Sequence, residues 1–137
     1  MLDKPLKRAR IAVIDDDAVF LELMQDLLGA AEGHEVLTCS NWLESQAFVT
    51  GAKPDLVILD LMMGREQTGW GVLELLRTET ATRDIPVIIC SAAAPALEAQ
   101  PGWFSETAAV ELLAKPFDVD QLLAVIGRLL ETRLAAR

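Results

Sequence analysis

The chain has 137 residues and carries 21 acidic against 12 basic side chains, a net charge of −9. This length suits one domain with a single sizeable core, and the charge balance argues against direct nucleic-acid binding, because phosphate backbones need concentrated Lys and Arg. Apolar residues make up 52% of the sequence, yet no apolar run approaches a bilayer span and no leader-like segment follows the basic stretch Met1 to Arg10, so a soluble cytoplasmic protein is expected.

Ile11-Ala12-Val13-Ile14 is an unpunctuated apolar run, as a strand buried on both faces should be. From Ala18 to Ala31, Phe20, Leu21, Met24, Leu27 and Leu28 recur at three and four, which predicts an amphipathic helix with an aspartate-rich start and a stop near Gly33. His34, the sole histidine, falls in a Gly-His-Glu turn and is expected at the surface; a lone histidine cannot build a metal cluster. Glu35 to Cys39 reads as a short strand and Trp42 to Thr50 as a helix capped by Ser40 or Asn41. Pro54-Asp55 punctuates before the third strand, Leu56-Val57-Ile58-Leu59, and a loop then runs from Asp60 to about Gly69.

The next helix is built on Trp70, Val72, Leu73, Leu75 and Leu76, and Pro86 opens the fourth strand, Val87-Ile88-Ile89-Cys90. After Ser91, the residues Pro95, Pro101 and Gly102 interrupt any helix. A fifth strand, roughly Val110 to Leu113, leads to Lys115-Pro116-Phe117. Asp118 then caps a final helix whose stripe is Leu122, Val125, Ile126, Leu129 and Leu130. Cys39 and Cys90 lack a CxxC spacing or a histidine partner and read as buried, reduced thiols.

Strands alternating with helices predict an α/β fold with parallel βαβ units and a sheet covered on both faces. Right-handed crossovers make a five-stranded, doubly wound sheet the economical arrangement. One domain, residues 1–137 with a core of about 10–134, accounts for the chain.

Ligands of open α/β sheets bind beyond the carboxyl ends of the strands. Strand one ends in Asp15-Asp16-Asp17, strand three in Asp60, strand four in Ser91 and strand five in Lys115-Pro116. In the order 2-1-3-4-5 these four strands are neighbours and their ends converge on one pocket. Crowded carboxylates repel one another without a cation, and oxygen ligands select a hard ion such as Mg²⁺, which keeps waters and accepts phosphate oxygens. A carboxylate is also a nucleophile toward phosphorus. Phosphoryl transfer needs mainly positioning and charge neutralisation, which Mg²⁺ and one lysine supply. Each residue alone has a plainer reading: a helix cap among the three aspartates, a loop aspartate, a common Lys-Pro turn. Their succession at strand ends carries the argument.

That succession resembles the response-regulator receiver family across about Arg10 to Leu134. The matching pieces are Ile11 to Asp17, Asp55 to Met63, Val87 to Ala92, and Lys115-Pro116-Phe117. The resemblance implies Asp60 as phosphoacceptor. It also implies Asp16 as a direct Mg²⁺ ligand, Asp15 acting mainly through a bound water, and the Met62 backbone carbonyl completing the protein ligands. Ser91 would be the switch hydroxyl, Ala92 its small neighbour, and Lys115 the partner of the phosphoryl oxygens with a cis bond to Pro116. The phosphodonor would be a phosphohistidine on a sensor histidine kinase or a histidine phosphotransfer protein. Output would pass through the segment after strand four, strand five and the final helix. The receiver of the signal would be a downstream protein or an output domain of the same regulator, with homodimerisation through that face also allowed.

Three positions depart from the family pattern. Gly64 stands where Pro is usual, in a loop one residue longer; Leu112 replaces the frequent aromatic three residues before the lysine; Pro101-Gly102-Trp103 interrupts the helix expected after strand four. Competing functions are a pseudo-receiver acting as a constitutive interaction module, an aspartyl-phosphate phosphatase and a flavin binder. A haloacid-dehalogenase-type phosphatase wants an aspartate where Met62 stands, and three aspartates after strand one would repel a flavin phosphate.

Overall fold

A run of β-branched and aliphatic residues with no polar interruption satisfies its backbone only by pairing on both sides, and the central strands do so. The structure, a computed structural model, describes residues 8–60, 69–92 and 110–135. Five parallel strands, β1 (Arg10–Ile14), β2 (Glu35–Cys39), β3 (Leu56–Leu59), β4 (Val87–Ser91) and β5 (Val110–Ala114), form one sheet in the order β2-β1-β3-β4-β5. Every residue of β3 and β4 is buried, whereas β2 and β5, at the edges, are mostly half-buried. The predicted strand order is the one found.

Alternate residues of each strand serve opposite faces. Ile11, Val13, Leu56, Ile58, Ile88 and Cys90 pack toward helix α1 (Ala18–Met24), through Phe20 and Met24, and toward helix α4 (Val119–Ala135), through Leu122, Ile126, Leu129 and Leu130. Ala12, Ile14, Val57, Leu59, Val87 and Ile89 face helix α2 (Trp42–Ala52), through Val49, and helix α3 (Gly69–Thr78), through Val72, Leu73 and Leu76. Two cores on one sheet are what a doubly wound fold requires. The calls on the 61–68 loop, on Met62, Gly64 and Trp103, and on the interrupted helix after strand four lie outside the described residues.

The predicted first helix runs its full length but changes winding, with a wider turn over Gln25–Ala31 continuing α1. Gly33, at φ 82°, closes it, donating from its N–H to the Gly29 carbonyl at 2.9 Å. Of the two candidate caps for α2, Asn41 is the one used: its side chain accepts from the Leu43 N–H at 2.9 Å. Cys39 and Cys90 are both buried and free, and burial pushes the Cys90 thiol up to about 12.

His34 departs from expectation. It is buried, and its Nδ1 accepts the Ala9 N–H at 3.1 Å. The cause is parallel pairing: the Glu35 N–H donates to the Ala9 carbonyl at 2.9 Å, which draws the turn before β2 against the entry to β1. Burial holds the imidazole below its ordinary value, against the opposing charge of Glu32. Protonation would also place a second donor opposite the Ala9 N–H. The neutral form is therefore favoured by folding, so its contribution is complete above the unfolded value of 6.5 and declines as pH falls toward the lower folded value. Urea midpoints measured from pH 7.5 to 5.5 are expected to fall more steeply for the wild type than for His34→Gln.

Candidate functional site

The sheet's hydrogen bonding continues one step past the strands. The Asp15 N–H donates to the Cys39 carbonyl, the Asp60 N–H to the Ile14 carbonyl, and the Lys115 N–H to the Ser91 carbonyl, each at 3.1 Å. These links bring Asp15, Asp60, Ser91 and Lys115 to one edge of the sheet, although Asp15 and Lys115 are 100 residues apart in sequence. The Lys115 Nζ donates to Asp15 Oδ2 at 2.7 Å and to Asp60 Oδ2 at 3.2 Å. The Asp15 side chain is 1% exposed, that of Asp60 11% and that of Lys115 23%. One ammonium is shared by two largely dehydrated carboxylates.

The adjacent aspartates divide the work. Asp15 Oδ1 accepts the Asp17 N–H at 3.0 Å, and Asp17 Oδ1 accepts from the Val19 and Phe20 N–H groups, capping α1. Asp16 is exposed. Ser91 is fully buried and Ala92, the next residue, is exposed. The Lys115–Pro116 peptide bond is cis. The structure thus brings Asp15, Asp60 and Lys115 into contact and sets Ser91 beside them through its carbonyl.

Burial raises the Asp15 carboxyl above its ordinary value, and the neighbouring Asp60 charge adds to this; the Lys115 hydrogen bond, the Asp17 N–H and the Lys115 charge only partly offset the rise. Burial by itself would lower the Lys115 ammonium, but the hydrogen bond and charge of Asp15, with the charge of Asp60, outweigh it and hold Lys115 above the usual lysine value. Burial is what raises Asp15 despite its ion pair, while two carboxylates sharing one cation keep Lys115 supplied with enough negative charge to overcome its own burial.

Among the described residues, no group of three His, Cys, Asp or Glu side chains gathers around a point that would hold a metal unaided. The donor set nevertheless suits a hard cation of the Mg²⁺ kind, which takes one or two carboxylates and retains waters. The excess negative charge at Asp15 and Asp60 favours such an ion further.

An aromatic pair completes the site, and its role was not legible in the sequence. The Lys115 Nζ lies 4.2 Å from the centroid of the Phe20 ring. Phe20 in turn meets Phe117 edge-to-face, with centroids 6.1 Å apart and an 83° interplanar angle. The helical periodicity marks Phe20 only as a core position, because the contact depends on how β5 sits across the sheet from α1.

Residues 11–127 match the family model of the response regulator receiver domain, and the chain belongs to that family. It is the kind of receiver domain that response regulators of two-component systems carry. The DNA-binding dual master transcriptional regulator RpaA of Synechocystis sp. is 35% identical over 121 residues, covering 88% of this chain and 48% of that protein. The DNA-binding transcriptional regulator NtrC of Rhizobium meliloti is 34% identical over 123 residues, 89% of this chain and 24% of that protein. The chain therefore spans 48% and 24% of the length of these two relatives. Among solved structures, a response regulator from Desulfuromonas acetoxidans superposes with a TM-score of 0.73 at 26% identity, over 90% of this chain and 97% of the other. Vibrio cholerae chemotaxis protein CheY4 superposes with a TM-score of 0.72 at 25% identity, over 89% and 98%. Among the described residues, no helix is long and apolar enough to cross a membrane.

Removing the shared ammonium leaves two neighbouring carboxylates facing each other. Lys115→Met is expected to lower unfolding free energy by about 2 kcal/mol, less than for a fully buried pair because Lys115 is partly exposed. Adding Asp15→Asn should restore at least half of that loss in urea denaturation at neutral pH.

Proposed function

We propose that the chain, acting as a single receiver unit over residues 1–137, accepts a phosphoryl group on Asp60 from a phosphohistidine and thereby switches a partner-binding surface. The observation that carries this reading is the position of the Asp60 carboxylate, at the carboxyl end of β3 and 3.2 Å from the Lys115 ammonium. An Asp60 oxygen forms a bond to phosphorus while the phosphorus–nitrogen bond of the donor breaks. The electron pair stays on the imidazole nitrogen, which takes a proton from solvent. In-line displacement of this kind asks the protein for positioning and charge neutralisation rather than for a strong acid or base.

Asp60 is held at one point by its N–H bond to the Ile14 carbonyl. Lys115 already lies within reach of its oxygens and can follow the charge onto the phosphoryl group. Ser91 supplies a hydroxyl at the end of β4 for a phosphoryl oxygen, and Ala92 beside it leaves room. Phosphorylation replaces the single negative charge of the Asp60 carboxylate by a phosphoryl group of about −1.5 to −2, at a site where one ammonium already serves two carboxylates. Mg²⁺ held by Asp16, Asp60 and the Met62 carbonyl, with Asp15 acting through water, would supply the remaining neutralisation.

The catalysis is confined to the chain's own phosphoryl uptake and hydrolysis. The donor is a sensor histidine kinase or histidine phosphotransfer protein in the cytoplasm. The signal leaves through β5 and α4 to a downstream protein, to an output domain of the same regulator, or to a second copy of the chain. Neither nucleic acid nor membrane is a direct partner of this unit.

Incubation with Mg²⁺ and acetyl phosphate or phosphoramidate, followed by intact-mass measurement, tests the reading. One phosphate adduct is expected in the wild type and none in Asp60→Asn or in the presence of EDTA. Its absence from the wild type, with a phosphorylated kinase also supplied, would assign the chain to constitutive interaction instead.

A further inference from the structure

From the contacts of Lys115 we infer that Phe20, braced by Phe117, is a positioning residue for the phosphoryl site. Its ring would hold the Lys115 ammonium in place independently of the state of Asp60. The inference rests on the receiver reading given above. In the resting site the ammonium has three attractions: Asp15 at 2.7 Å, Asp60 at 3.2 Å and the ring of Phe20 at 4.2 Å from its centroid. Phosphoryl uptake relocates one of them, because the Asp60 carboxylate becomes an acyl phosphate and the charge that attracts the ammonium moves outward onto the phosphoryl oxygens. The other two do not depend on that event. The negative face of an aromatic ring attracts a cation directionally and without competing for its protons.

The placement of the ring is built rather than incidental. Phe20 is 9% exposed and lies in the first turn of α1, the turn capped by Asp17, whose N–H is bound by Asp15 Oδ1. The carboxylate and the aromatic ring that both contact Lys115 are thus fixed by one short stretch of main chain. From the other side, Phe117 follows Lys115 by two residues and meets the Phe20 ring in a T-shaped arrangement at 83°. The lysine and the ring that positions it are therefore tied together at both ends. A flexible four-carbon stem with a compact charge needs such a guide more than a planar guanidinium would.

Removing the π face while keeping the bulk separates positioning from packing. With acetyl phosphate and Mg²⁺, Phe20→Leu is expected to slow adduct formation on the order of tenfold, and Phe20→Tyr to stay within about twofold of wild type. Replacing Phe20 by mono-, di- and trifluorinated phenylalanine should lower the rate step by step while leaving the melting temperature nearly constant, a trend that a merely structural role does not produce. A ring-current upfield shift of the Lys115 Hε resonances is expected in the wild type and in Asp60→Asn, and should be lost in Phe20→Leu. Wild-type rates in Phe20→Leu, or a flat rate across the fluorinated series, would overturn the inference and leave the receiver reading standing. No adduct in the wild type would overturn both.

Discussion

The Lys115 ammonium holds together a site that its neighbours alone would drive apart. Asp15 and Asp60 leave adjacent strands at the same edge of the sheet, and both are largely removed from water. At an effective dielectric near 20, unit charges about 4 Å apart interact by about 4 kcal/mol, so two unscreened carboxylates there would oppose folding. Lysine comes from β5, two strands beyond β3, a gap of about 10 Å by strand spacing. Its long stem crosses over the end of β4, where Ser91 is buried and Ala92 is small. The sheet order, the strand lengths and the small residues at the end of β4 all serve that reach.

The same comparison of magnitudes assigns roles within the site. The charge of two carboxylates dominates the attraction felt by the ammonium, while a cation–π contact contributes about 1 to 2 kcal/mol. Phe20 therefore directs the cation rather than retaining it. Charge retention falls first to Asp15, which holds the ammonium at 2.7 Å and whose carboxyl is raised mainly by its burial. Surplus negative charge suits a hard cation and repels a phosphoryl group, so the proposed phosphoryl transfer would call for the cation as well as the lysine.

The fold was largely legible in the sequence, because strands buried on both faces leave unbroken aliphatic runs and the residues ending those runs stand out. Asp15, Asp60 and Lys115 were found that way, as was the presence of one helix cap among the three consecutive aspartates. Other features arise only from contacts between distant segments. His34 looked like a turn residue because its partner, the Ala9 N–H, is 25 residues away and is brought to it by strand pairing. Phe20 read as one more core position in a helical stripe, since nothing local signals a lysine from the far side of the sheet. The choice between Ser40 and Asn41 as cap rested on where the helix begins, since both residue types cap equally well and Asn41 directly precedes Trp42.

The route from the site to the surface is constrained by what stands at Leu112. Family members often carry an aromatic residue at this position, whereas here Leu112 is half-buried and packs with Val110 and Phe48 against the core that faces α2 and α3. An aliphatic side chain seated there has no large polar ring to rotate outward. Between the site and β5, the described residues instead offer a main-chain link, from the Lys115 N–H to the Ser91 carbonyl, continued by the pairing of Ser91 with Ala114 and Cys90 with Leu113. A displacement of Ser91 toward a phosphoryl group would pull on this ladder directly. As an edge strand, β5 is hydrogen-bonded among the described residues to β4 on one side. The beginning of α4, tied to β5 through Lys115-Pro116-Phe117, would follow it. Among the described residues, the proposed change would then travel outward along the sheet edge, since Leu112 offers no ring to rotate.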